Sequence, residues 1–96
     1  MEISLDVVKK VFLDILDGRV TREMADRWAY SVIQESELGT LIFVPPEEMG
    51  RIWDGVMYLY GIDIIEATGE YLHTEQDIRI AMQEKVCDGH SNFILG

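Results

Sequence analysis

In this 96-residue sequence, two imidazoles and one thiol, His73, His90 and Cys87, are the side chains best suited to gripping a metal. Imidazole and thiolate are good zinc donors, but a closed structural site takes four of them. Three are available, and only Cys87 and His90 are near one another in the chain. The simpler reading makes His73 a side chain fixed near a helix start and Cys87 a small apolar filler. No metal and no other cofactor is expected. As a nucleophile Cys87 would need a neighbouring cation to lower its pKa, and none is obviously placed to do so. Asp63, Glu66 and Glu70 could share acid-base work only if their surroundings drove two pKa values apart. With 18 acids in the chain, a solvated acidic surface explains them more simply. Neither G-x-G-x-x-G nor G-x-x-x-x-G-K-[ST] occurs, so no phosphate loop is present. Asp54-Gly55 and Asp63 lack the alternating oxygen ligands of a calcium loop. The residues point to binding rather than catalysis.

The charge says what kind of binding. Eighteen acids face 8 Lys and Arg, a formal net charge of -10. Residues 1 to 36 carry 7 acids and 5 bases, and residues 37 to 96 carry 11 acids and 3 bases. In the acid-rich part, Glu47, Glu48, Asp54, Asp63, Glu66 and Glu70 are interleaved with Tyr58 and Tyr71. Acids steer a basic partner, and Tyr supplies buried anchors that hold it. These eight residues form the expected partner-binding surface, and a cationic protein is the expected partner. Trp53 and Tyr60 follow a helical core pattern and are expected inside, whereas Tyr58 falls on the opposite side of the helix.

One group of residues argues for nucleic acid. Lys9, Lys10, Arg19, Arg22 and Arg27 surround a short turn with a helix-turn-helix outline. Asp14, Asp17, Glu23 and Asp26 sit among them, and an intrahelical Glu23–Arg27 pair is expected to consume charge there. Affinity for nucleic acid comes largely from cations neutralising phosphates. The overall negative field therefore sets the expectation of no nucleic-acid partner.

The elements that would position these residues are mostly helical. Leu5, Val8, Val11, Phe12, Ile15 and Leu16 predict a first helix, capped by Ser4 and stopped by Gly18. Thr21 caps a second, with Met24, Ala25, Trp28, Ala29, Val32 and Ile33 on its apolar face. Residues 36 to 44 read as a connector, since a strand there has no partner of comparable β-branched composition. Pro45-Pro46-Glu47-Glu48 opens a third helix, with Met49, Ile52, Trp53, Val56, Met57 and Tyr60 inward and Gly61 at its end. Residues 62 to 73 are an irregular crossing whose apolar side chains pin it to the core. Thr74-Glu75-Gln76-Asp77 is a capping box for a fourth helix through Ile78, Ala81, Met82 and Val86. The expectation is one all-α domain over residues 1 to 96, with 89 to 96 a tail. No apolar run reaches the roughly 18 residues of a membrane span. The start Glu2-Ile3-Ser4-Leu5-Asp6 is unlike a secretory signal, so the cytoplasm is the expected location and no membrane partner is expected.

Two longer strings, Thr21-Arg22-Glu23-Met24-Ala25-Asp26-Arg27-Trp28-Ala29 and Tyr71-Leu72-His73-Thr74-Glu75-Gln76-Asp77, occur with Gly61-Ile62-Asp63 between them. Together they resemble small acidic bacterial immunity proteins of polymorphic toxin and contact-dependent growth inhibition systems. That resemblance implies a cytoplasmic antidote that binds and neutralises a cationic toxin domain, a nuclease above all, by stoichiometric contact. The alternative is a small acidic adaptor or regulatory binding protein with no toxin partner.

Overall fold

The structure, a computed structural model, describes residues 1 to 87. The expected tail at 89 to 96, and His90 with it, lies outside the described residues. In chain order the elements are β1 (Glu2–Ile3), α1 (Leu5–Leu16), α2 (Arg22–Glu37), β2 (Ile42–Phe43), a 3-10 turn (Pro46–Glu48), α3 (Met49–Leu59) and α4 (Glu75–Lys85). The fold is mostly helical, with four α-helices among the described residues, as the periodicity predicts.

Local chemistry starts and stops the helices where expected. The Ser4 hydroxyl accepts the Val7 amide at 3.3 Å and Thr21 accepts that of Met24 at 3.1 Å, each satisfying an amide that has no partner within its helix. At α4 the capping is reciprocal: Asp77 N–H donates to Thr74 Oγ1 at 3.1 Å, and Thr74 N–H donates to Asp77 Oδ2 at 3.0 Å. Gly18 and Gly61 leave α1 and α3 at φ of +77° and +87°, in the left-handed region where a Cβ is penalised.

The Thr74 backbone amide first, and the Thr74 side chain second, hold the Asp77 carboxyl below the usual carboxylate range by hydrogen bonding to it. A carboxyl whose pKa is lower folded than unfolded stabilises the fold above the unfolded value, and that contribution is lost as pH falls through the folded value. Thr74→Ala is expected to cost about 1 kcal/mol near neutral pH, and its deficit should shrink in acid as Asp77 protonates in both proteins. Urea unfolding at neutral and acid pH measures both effects.

Residues 36 to 44 correct the connector expectation. β2 pairs in parallel with β1 in the register Glu2 with Ile42 and Ile3 with Phe43. Ile42 N–H donates to Met1 O at 2.8 Å and Val44 N–H to Ile3 O at 2.9 Å. A two-residue ladder is made by backbone groups alone, so β-branched composition gave no sign of it.

α3 lies at the centre and packs against α1, α2 and α4. Phe12, Ile52, Leu59, Ile62 and Ile78 are fully buried around it. Its Gly55 makes the close approach possible: a Cβ there would lie 2.7 Å from Val8 Cγ1 and 2.8 Å from Val86 Cγ1. Because α3 has neighbours on several sides, its buried arc is wider than a single stripe. Met49, Met57 and Tyr60, expected inside, are instead exposed, as is Met24 of α2. The crossing from 62 to 73 is pinned mainly by Ile62, while Ile64, Ile65 and Leu72 face solvent. No helix among the described residues is long and apolar enough to cross a membrane.

Candidate functional site

Five of the eight Lys and Arg residues lie on α1, α2 and the turn between them, and the structure divides them by occupation. Lys10 Nζ sits 2.8 Å from Asp14 Oδ2, and Arg19 Nη1 lies more loosely, 3.8 Å from the other Asp14 oxygen. Arg22 turns inward. Its Nη1 donates to the His73 carbonyl at 2.6 Å, and its guanidinium lies 4.3 Å from the centroid of the Tyr71 ring. Tyr71 in turn donates its hydroxyl to Glu23 Oε2 at 2.9 Å. The Glu23 carboxyl is held below its ordinary range by a hydrogen bond from its own backbone and then by Tyr71. The Tyr71 phenol is raised, first because its hydrogen bond to the Glu23 carboxylate favours the protonated form.

This arrangement overturns the expected Glu23–Arg27 pair. Glu23 is committed to Tyr71, and among the described residues neither Arg27 nor Lys9 is paired with a carboxylate. Asp26 is also drawn away from the cations, accepting the Gly61 amide at 2.6 Å. By helical phase, Arg27, Tyr30 and Gln34 share the side of α2 opposite its buried Ala25, Ala29 and Val32, and all three are exposed. Tyr30 stacks on Tyr60 with ring centroids 6.2 Å apart. Tyr30 was not singled out from the sequence, although its position three residues beyond Arg27 places it on the same outward side.

The eight residues expected to form an acidic partner surface fall into three places. Glu47 and Glu48 lie in the turn before α3, where Glu48 pairs with Arg51 at 3.1 Å, and exposed Asp54 follows on α3. Asp63, Glu66, Glu70 and Tyr71 belong to the loop after α3, which is closed by a bridge between Ile65 and Tyr71 and by Glu66 N–H donating to Glu70 O at 2.7 Å. Tyr58 joins neither group. It stacks on Phe12 at 5.8 Å and meets the His73 ring at 4.9 Å. Its hydroxyl is buried with no partner among the described residues, and burial, then Asp77, raises its pKa. The side of α3 opposite Trp53 faces α1 and α4 rather than water, which is why Tyr58 is no outward anchor. Among the described residues, no three His, Cys, Asp or Glu side chains converge as a metal site would require.

Among the described residues, fold and corner together define a small four-helix domain with an outward-facing row on α2. The chain belongs to the YxzC family: the family model described as YxzC DNA-binding protein matches residues 3 to 84. A Bacillus subtilis (strain 168) relative, the uncharacterized protein YxzC, is 33% identical over 66 residues, covering 67% of this chain and 47% of that protein. The chain thus spans about half the length of the curated relative it matches. No solved structure matches it.

Membership of this family corrects three expectations: the immunity-protein resemblance, the toxin partner and the exclusion of nucleic acid. The structure explains how the resemblance misled. Arg22 and Glu23 bind His73 and Tyr71, while Asp26 binds Gly61, so the three strings that carried it are bonded to one another. They are joints of the fold, and joints of a fold do not identify a partner. The net charge of the whole chain is a poor measure of the cations carried by α1 and α2.

Proposed function

We propose that this chain is a small regulatory DNA-binding module and not an enzyme, acting in the cytoplasm. It contacts phosphates through Lys9, Arg19 and Arg27 at the α1–α2 corner. The observation that carries this reading is the diversion of Glu23 to Tyr71, which leaves Arg27 exposed on the outward side of α2 with no carboxylate partner among the described residues. The family's description as a DNA-binding protein supplies the ligand class. Tyr30 and Gln34 on the same side of the helix offer hydrogen-bonding groups toward bases or sugars.

The acidic surplus shapes how such a module works. With net charge -8 over residues 37 to 96, repulsion from phosphate turns that part of the chain away and presents the corner. Few cations also mean weak binding with only a modest salt dependence. Neutralising about three phosphates gives a slope of roughly -2.7 in log K against log salt. That slope corresponds to about a 40-fold loss between 50 and 200 mM salt. Such binding suits a component whose occupancy is set by a partner or by conditions.

Fluorescence anisotropy of a labelled duplex titrated with the chain at several salt concentrations tests this. Saturable binding at low salt is expected, and Arg27→Ala should reduce the slope by about 1. Absence of binding at low salt, or a slope unchanged by Arg27→Ala, would overturn the reading.

A further inference from the structure

A separate cleft lies between β2 and the first turns of α3. Phe43 and Trp53 form its walls, with ring centroids 6.4 Å apart and planes inclined at 72°. Ser36, Met49, Gly50 and Asp54 complete a cavity of about 350 Å³, near the small end of the range for ligand sites. Gly50, Trp53 and Asp54 are at i, i+3 and i+4, so one side of α3 supplies the floor, an aromatic wall and a carboxylate.

Gly50 is the informative residue. Glycine is a poor helix former, and each of the other glycines just described has a local reason. Gly18 and Gly61 need positive φ, and Gly55 is crowded by Val8 and Val86. Gly50 has neither a positive φ nor any atom within 4 Å of where its Cβ would stand. The space over it is the cleft. Asp54 has no cationic partner among the described residues. An indole and a phenyl ring in an edge-to-face arrangement beside such a carboxylate suit a cation with an apolar shell, because aromatic faces attract cations and the indole does so best. An anion would be repelled by Asp54, and a neutral apolar ligand would gain nothing from it.

We propose that this cleft binds a small alkylammonium cation of the trimethylammonium type. The proposal does not depend on the DNA reading, since the cleft uses none of Lys9, Arg19 or Arg27.

The intact chain is titrated with choline and, separately, with its neutral isostere 3,3-dimethyl-1-butanol at constant ionic strength. The Trp53 indole N–H resonance is followed, with that of Trp28 as internal control. Choline should move Trp53 saturably with a dissociation constant on the order of 1 mM and leave Trp28 unmoved, and the isostere should bind about tenfold more weakly. Asp54→Asn, at an exposed position, should remove most of that preference. Gly50→Leu should abolish the shift while the far-ultraviolet circular dichroism remains helical. Equal response to the two probes, an unmoved Trp53, or retained binding in folded Gly50→Leu would each overturn the proposal. Should Gly50→Leu fail to fold, the preference for choline and its loss in Asp54→Asn decide the matter.

Discussion

Phe12→Ala is expected to remove about 3 to 5 kcal/mol of stability, a large share of the roughly 5 to 15 kcal/mol typical of a small domain. Phe12 is fully buried on α1 and its ring stacks on Tyr58. Truncation would lose the transfer energy of the ring and leave a cavity that the surrounding helices only partly collapse. It would also remove the packing against Tyr58, whose hydroxyl already lacks a partner among the described residues. At about 4 to 8 °C per kcal/mol for a domain of this size, the melting temperature should fall by roughly 12 °C or more. Urea unfolding followed at Trp28 and Trp53 measures the change, and a loss below about 1 kcal/mol would show that the ring is not at the centre of the core.

Gly55→Val is expected to be nearly as damaging for the opposite reason, overfilling. The added Cβ alone would fall 2.7 Å from Val8 Cγ1 and 2.8 Å from Val86 Cγ1, and both neighbours are buried. Val8 is β-branched and within a helix, so its rotamer has little room to change. Overpacking of this kind costs about 1 to 3 kcal/mol, and the valine methyls place this substitution toward the upper end. Gly50 supplies the control. With nothing within 4 Å of its Cβ position, Gly50→Ala should stabilise by about 0.5 to 1 kcal/mol through helix propensity. Opposite signs at two glycines of one helix are the expected result; equal signs would mean that α3 does not pack on α1 as described.

Much of the fold was legible because its determinants are local. Ser4, Thr21 and the Thr74–Asp77 box each act within four residues of themselves, and Gly18 and Gly61 act on their own backbone. The buried positions Ile78, Ala81, Met82 and Val86 followed from periodicity alone. Tyr58 and Tyr60 show where that reasoning stops. Helical phase gives the angle between two side chains, but not how many sides of the helix have neighbours. α3 has three helical neighbours, and its backbone leaves the helix at Tyr60 with ψ of 115°. Tyr58 therefore packs inward while Tyr60 is exposed.

The candidate site was half legible. The cations at the α1–α2 corner are plain in the sequence, and so is the carboxylate at Glu23 that was expected to neutralise Arg27. What removes that carboxylate is Tyr71, 48 residues away, a contact that no local rule reports. Whole-chain charge then outweighed the corner, although screening confines exposed charges to roughly 8 to 10 Å at moderate salt. The sum over a chain is a weaker guide to one surface than the charges that surface carries.

The central claim, that the α1–α2 corner meets DNA, is tested most directly by amide and arginine side-chain NMR of the isotope-labelled chain on adding a short duplex at low salt. Shifts should concentrate at Lys9, Arg19, Arg27 and the outward side of α2 through Gln34, and they should reverse as salt is raised. Residues 47 to 70 should stay still. Shifts centred on those acidic residues, or no shifts at duplex concentrations approaching millimolar, would contradict the account.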